Sequence, residues 1–203
     1  MEKLFQKIKI EKFKIIQKEL LNLIPAEKLN LTGSNVESWI LDINDALSKC
    51  PNLSAFLKSR AKKNVAEMKF YVSPVDIGTG YHTDGCLQRQ PFALTLPVQN
   101  TNNTYLNWYK EDATNFKRRI LKDEPLHNKF EWQIPDIFVP IDTKKLELIG
   151  SYEIIEPSFV RNDLMHRVVN NSSGVRIILT IRWPKFYTEI NDIMDLSDII
   201  DVF

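Results

Sequence analysis

The sequence predicts a mainly β protein with its helices gathered at the N-terminal end, an α+β arrangement in the broad sense. Three observations carry this. Apolar residues recur at helical spacing in the first third of the chain. From Glu67 onward, short β-rich runs alternate with turn residues, which is how a sandwich or barrel reads. At 203 residues the chain is long enough for one well-buried core and falls short of two ordinary domains with a linker. One domain is therefore expected over 1–203, with helical support at 1–64, a β core at 67–184 and a helical tail at 185–203.

In chain order, weak alternation over Leu4–Ile10 suits an edge strand, and Phe13, Ile16, Leu20, Leu23 and Ile24 mark an amphipathic helix that Pro25 stops. Ser34 followed by Glu37 has the form of a capping box. With Val36, Ile40, Ile43 and Leu47 on one face, it predicts a second helix ending before Pro51. A third helix runs through Leu53, Phe56 and Leu57. Strands are predicted at Met68–Val72, Phe92–Gln99, Tyr105–Tyr109, Phe138–Ile141, Tyr152–Ile155, His166–Asn170 and Val175–Trp183. In the second of these Phe92, Leu94, Leu96 and Val98 share one face, the pattern of a half-buried strand. Lys110–Asp136 is charged and irregular apart from a short helix expected near Phe116–Leu121, and a connection of that length suits a lid. After Pro184, Ile190, Ile193, Met194, Ile199 and Ile200 predict a packing helix.

Composition excludes several function classes. Twenty-seven basic and 26 acidic side chains leave a formal net charge of +1, so no overall field favours nucleic acid or an anionic membrane. Lysines interrupt every apolar stretch near the N-terminus, which argues against a signal peptide or a membrane span and for a cytoplasmic protein. Cys50 and Cys86 are too few for a disulfide framework and are expected to be free thiols. The apolar helices of the N-terminal region suit internal packing or a dimer equally, so oligomeric state stays open.

The chemistry-bearing segment is Gly78-Thr-Gly-Tyr-His82-Thr-Asp84-Gly85. In extended backbone, residues two apart point to the same side, so His82 and Asp84 can reach one metal ion. Imidazole with carboxylate suits Fe(II), Zn(II) or Mn(II), and a second histidine would complete a facial triad with open positions. The His-x-Asp spacing is weakly specific by itself and also fits a surface turn with a capping aspartate. Downstream, Phe159–Asn170 carries His166 and is followed, after a turn at Asn170–Gly174, by Val175-Arg-Ile-Ile-Leu-Thr-Ile-Arg-Trp. On that strand Arg176, Ile178, Thr180 and Arg182 share one face, opposite a core face of Ile177, Leu179, Ile181 and Trp183. An arginine on such a face is either solvated or presents a planar, bidentate cation to a carboxylate in a cavity, and Arg176 is read the second way. Arg182, six residues and roughly 20 Å further along, is read as a solvated surface arginine.

This order of residues, His82-x-Asp84, a long gap, His166 and an arginine ten residues later, resembles the 2-oxoglutarate and Fe(II)-dependent oxygenase superfamily. The strands beginning at Phe92 and Val175 are similar as well, and resemble in part the aspartyl/asparaginyl hydroxylase branch, which usually lacks the carboxylate that Asp84 supplies. The resemblance covers roughly residues 67–184. It implies a double-stranded β-helix, the cupin-like jelly roll. It also implies that His82, Asp84 and His166 bind iron and that Arg176 pairs with the distal carboxylate of 2-oxoglutarate. With O2, the cosubstrate would be decarboxylated to succinate and a substrate C–H bond oxidised, hydroxylation being the default outcome; an aspartate ligand argues against halogenation. Arg89 is a secondary candidate for a cosubstrate or substrate carboxylate, against its plainer reading as a turn residue. Tyr71, Tyr81, Asn107 and Tyr109 are candidate cavity walls or core residues. Trp108 and Trp183 are read as packing, His127 as exposed, and Cys86 as an ordinary thiol. Two other readings stand beside this one: a cupin-like or zinc metalloenzyme indifferent to 2-oxoglutarate, and a non-catalytic jelly-roll binding protein without a metal. The substrate expected is a small molecule or an amino-acid or peptide side chain, with no nucleic acid and no membrane involved.

Overall fold

The computed structural model describes residues 3–84, 91–112, 114–120, 136–184, 187, 189–197 and 199. Its helices are α1 (Phe13–Leu21), α2 (Ala26–Leu29), α3 (Ile43–Lys49), α4 (Pro51–Arg60) and α5 (Ile190–Ile193). Its strands are β1 (Phe5–Lys7), β2 (Glu37–Ile40), β3 (Glu67–Ser73), β4 (Tyr81–Thr83), β5 (Phe92–Gln99) and β6 (Thr104–Tyr109), followed by β7 (Phe116–Ile120), β8 (Asp136–Pro140), β9 (Leu148–Glu153), β10 (Ser158–Arg161), β11 (His166–Asn170) and β12 (Arg176–Arg182).

Among the described residues the strands form two six-stranded sheets, ordered β1-β10-β5-β12-β3-β2 and β7-β8-β4-β11-β6-β9, with every neighbouring pair antiparallel. From β3 to β6 and again from β9 to β12 the chain changes sheet at every strand, so chemistry-bearing residues from distant segments face one another across the gap between the sheets. The first sheet is covered on its outer face by the N-terminal helices. Ile16 and Leu20 of α1 and Leu53 and Leu57 of α4 are buried against Phe70, Leu96 and Leu179 in one apolar cluster. Full burial of each such side chain contributes about 1.5–3 kcal/mol. Because β12 is covered on both faces, all seven of its residues are buried.

Pro97 stands in β5, a strand with neighbours on both sides, where proline is tolerated only at an irregularity. The register supplies one: Ile177 pairs with Gln99 and Ile178 with Pro97, leaving Val98 as the extra residue of a bulge.

Four sequence expectations change. Glu37–Ile40 is a strand paired with β3, not the start of a helix, and the helix that follows begins at Ile43 with the Asp42 carboxylate accepting from the Asp45 amide at 2.8 Å. Backbone pairing with β3 thus outweighs the Ser34–Glu37 capping signature. Phe116–Ile120 is a strand paired with β8, where a helix was expected. The tail is helical only over Ile190–Ile193, although Ile193, Met194 and Ile199 do pack into the main core. Ser158–Arg161, assigned to no element from sequence, is β10. Most of the expected lid, 121–135, lies outside the described residues, as do Cys86, Arg89 and His127. Among the described residues no helix is long and apolar enough to cross a membrane.

Candidate metal centre and its cavity

The centre is built on one cross-strand pair. His82 of β4 and His166 of β11 are register partners, which puts their side chains on the same side of the second sheet, with ring centroids 4.3 Å apart. Asp84 follows β4 and is tied down by its amide, which donates to the Asn162 carbonyl at 2.9 Å. One ligand atom from each of His82, Asp84 and His166 lies within 4.8 Å of the other two.

Each imidazole is oriented by the backbone two residues before it. His82 Nδ1 sits 2.9 Å from the Gly80 carbonyl and His166 Nδ1 sits 2.8 Å from the Leu164 carbonyl. A carbonyl only accepts, so both Nδ1 atoms carry the proton and both Nε2 lone pairs are left for a metal. Burial, followed by the electrostatic influence of the neighbouring His82, pushes the His166 imidazole down to about 4, so it is neutral at ordinary pH. For Asp84, burial alone would raise the carboxyl, but the Arg182 guanidinium, with His166, His82 and Lys69, outweighs it and holds the group below its ordinary value. A neutral imidazole and an ionised carboxylate are the forms that ligate.

The loop before β4 is docked on β11. Thr79 donates its amide to the Val168 carbonyl at 3.0 Å and accepts the Val168 amide on its hydroxyl at 2.8 Å. Gly78 passes so close that an added Cβ would stand 2.1 Å from the Val168 carbonyl oxygen, which is why this position has no side chain.

Between the sheets lies a cavity of about 60 Å³, room for several water molecules. Its walls include His82, Asp84, His166, Ser73, Arg176 and Arg182. Arg176 is 1% exposed, and its Nε and Nη2 have no hydrogen-bond partner. The neighbouring Ser73 is its register partner on β3, fully buried, with its hydroxyl likewise unpartnered. Burial pushes the Arg176 guanidinium down to about 10, so it is still a cation at neutral pH. A buried cation without an acid is costly unless a ligand supplies the acid. Beyond Asp84 the cavity opens into a wider mouth of about 430 Å³, bordered by Lys69, Tyr71, Tyr81 and Ile137.

Of the sequence candidates, His82, Asp84, His166 and Arg176 are brought to one cavity, and Tyr71 and Tyr81 to its walls or mouth. Asn107 instead accepts from Ser151 at an exposed position, and Tyr109 packs edge-on against Tyr81 at 5.1 Å. Trp108 and Trp183 are buried, each donating its indole N–H to a backbone carbonyl.

Arg182 corrects the sequence reading. It is 5% exposed rather than solvated, and donates to Glu67 at 2.7 Å, to Asp84 at 2.5 Å and to the Tyr71 hydroxyl at 3.3 Å. Length along the strand was a poor guide because the cavity follows the inner face of β12 and both ends border it. Ser73 was missed altogether; its signal was alternation with Tyr71 on β3, legible only once β3 is known to pair with β12.

No protein-family model and no curated protein matches the chain. Solved structures do. A viral collagen prolyl hydroxylase from Paramecium bursaria Chlorella virus-1, solved as a 2OG complex, is 16% identical with a TM-score of 0.42, over 88% of this chain and 94% of that one. The non-heme alpha-ketoglutarate-dependent epimerase SnoN from nogalamycin biosynthesis is 14% identical with a TM-score of 0.41, over 88% and 77%. E. coli ycfD is 13% identical with a TM-score of 0.42 over 76% of this chain, which spans only 35% of that protein's length. Two of these three are described with 2-oxoglutarate, also called alpha-ketoglutarate.

Proposed function

We propose that this chain is a non-haem Fe(II) oxygenase dependent on 2-oxoglutarate, built as a double-stranded β-helix, and that it hydroxylates a small molecule or an amino-acid or peptide side chain. The observation that carries the reading is the buried Arg176 guanidinium, with Nε and Nη2 unpartnered among the described residues, in the same cavity as two imidazoles and a carboxylate with ligand atoms in reach of one another. A metal site alone suits many chemistries. A metal site facing a buried cation that lacks an acid suits a diacid bound by its two ends.

In this reading His82, Asp84 and His166 hold the metal, and Arg176 with Ser73 receives the distal carboxylate. The donor set fits: each Nδ1 faces a backbone carbonyl and leaves Nε2 as the ligating atom, Asp84 is ionised, and one carboxylate with two histidines leaves coordination positions open. When bound, the iron and keto acid supply the oxidising chemistry with O2. The chain's own residues orient and shield it. Arg176 and Ser73 select a carboxylate at the closed end, the surrounding apolar walls such as Leu106, Ile154 and Val168 exclude water, and the mouth past Tyr71 and Tyr81 admits the substrate.

Anaerobic titration of metal-free protein with Fe(II) and then 2-oxoglutarate tests this through the visible charge-transfer band of a chelated keto acid. The band is expected with wild type and absent with His166→Ala. With Arg176→Ala it should need roughly 100-fold more 2-oxoglutarate, the equivalent of about 3 kcal/mol for a charge-assisted pair. Metal binding without a band would replace the reading with a metalloenzyme that does not use 2-oxoglutarate. No metal binding would remove the site.

A further inference from the structure

We infer that Arg182 is a positioning residue that fixes Asp84 as a one-oxygen metal ligand, an assignment that rests on the metal site proposed above. The two carboxylate oxygens of Asp84 face different partners. Oδ2 accepts from Arg182 Nη2 at 2.5 Å, whereas Oδ1 is the atom that faces His82, 3.8 Å from its Nε2.

The clamp is itself anchored. Arg182 Nη1 donates to Glu67 Oε1 at 2.7 Å, and these two residues are register partners on β12 and β3. Glu67 is 1% exposed and Arg182 5%, so neither end of the pair is free to swing into water. Tyr71, on the same inner face of β3, accepts from Nη2 as well. Asp84 is thus held by a rigid pair of core strands, although it lies just past the end of the short β4. A planar guanidinium can span two carboxylates in this way; a lysine ammonium, a single point of charge on a flexible stem, cannot hold the same two-sided geometry.

The consequence is a matter of coordination positions. Two imidazoles and one carboxylate oxygen occupy three. A chelating keto acid would need two more, and a six-coordinate metal would leave one for dioxygen. If Asp84 bound through both oxygens it would take the position needed by one of these. Arg182 prevents that by occupying Oδ2. An outer partner that orients a ligand is worth roughly 10- to 100-fold in metal affinity.

The test is titration of metal-free wild type, Arg182→Lys and the double variant Glu67→Gln/Arg182→Gln with Co(II), read by visible absorption. Its intensity and band positions report coordination number. The double variant removes the Glu67 anion along with the cation, so Glu67 is not stranded in the core, and near-ultraviolet circular dichroism establishes that each variant is folded. Expected are a Kd raised roughly 10- to 100-fold and an altered cobalt spectrum in the folded variants. A purely structural Arg182 would lower the melting temperature and leave both readouts as in wild type, and that result in a folded variant overturns the inference while the metal site stands. If wild type itself takes up no cobalt, the site reading falls and this inference with it.

Discussion

Arg176 and Arg182 stand on the same face of the same strand, six residues apart, and both are buried. Arg182 meets Glu67, Asp84 and Tyr71, and although burial alone would lower its pKa, these neighbours push it well above the ordinary arginine value. Among the described residues Arg176 meets no acid; it leaves two nitrogens without a partner there and is pushed down to about 10 by burial. The folded chain has matched the charge at one end of the strand, where Arg182 Nε is the nitrogen left without a partner among the described residues, and left the other in deficit. A satisfied cation is part of the scaffold, whereas a cation in deficit marks where a negative group from solution belongs.

The two ends should therefore respond to mutation with opposite signs. Arg182→Ala strands Glu67 in the core and is expected to cost about 3–5 kcal/mol in urea denaturation of the metal-free protein. Arg176→Met relieves an uncompensated charge and should leave stability unchanged or raise it by about 1 kcal/mol. Equal destabilisation by both would erase the contrast and with it the argument for a ligand at Arg176.

His166, in the same cavity, sharpens the comparison through pH. With His166 held near 4 against 6.5 unfolded, the unfolded state binds more protons between those values, so stability falls as pH is lowered through that window. Going from pH 7 to pH 5 should cost the metal-free protein about 2 kcal/mol from this group. Asp84, whose carboxyl is held below 3.8, contributes stability that is lost only at still lower pH. Urea titrations at pH 7 and 5 on wild type and His166→Gln would read it, and a wild-type slope no steeper than the variant's would contradict a neutral buried His166. The smaller effect on ligand binding is expected from Ser73→Ala, which removes one hydroxyl donor and should raise the Kd for 2-oxoglutarate about tenfold, roughly 1.5 kcal/mol, measured in the same band titration used for Arg176.

What the sequence made legible follows from which forces act locally. Phe92–Gln99 and His166–Asn170 were read with their bounds because each is a continuous β-rich run bracketed by turn residues. β10 was not, because three of its four residues are buried and no alternation survives, and β7 was not, because Phe-Lys-Arg-Arg-Ile has no apolar face. For β2, pairing with β3 decided against a local helical signal, a contest no window of sequence contains. At the site, His82, Asp84, His166 and Arg176 were visible as residue types in a known order. Arg182 and Ser73 depend on register between strands about a hundred residues apart in sequence, and that is a property of the folded sheet.

The docking of Gly78 and Thr79 on β11 gives the centre a dynamic signature. The amide of Val168 is bonded to a threonine hydroxyl rather than to a neighbouring strand, so its hydrogen can exchange with solvent only when the loop lifts. The same loop carries the Gly80 carbonyl that aims His82. Lifting it therefore unmakes the orientation of the His82 ring, and the exchange rate at this single amide becomes a clock for how often the His82–His166 pair comes apart.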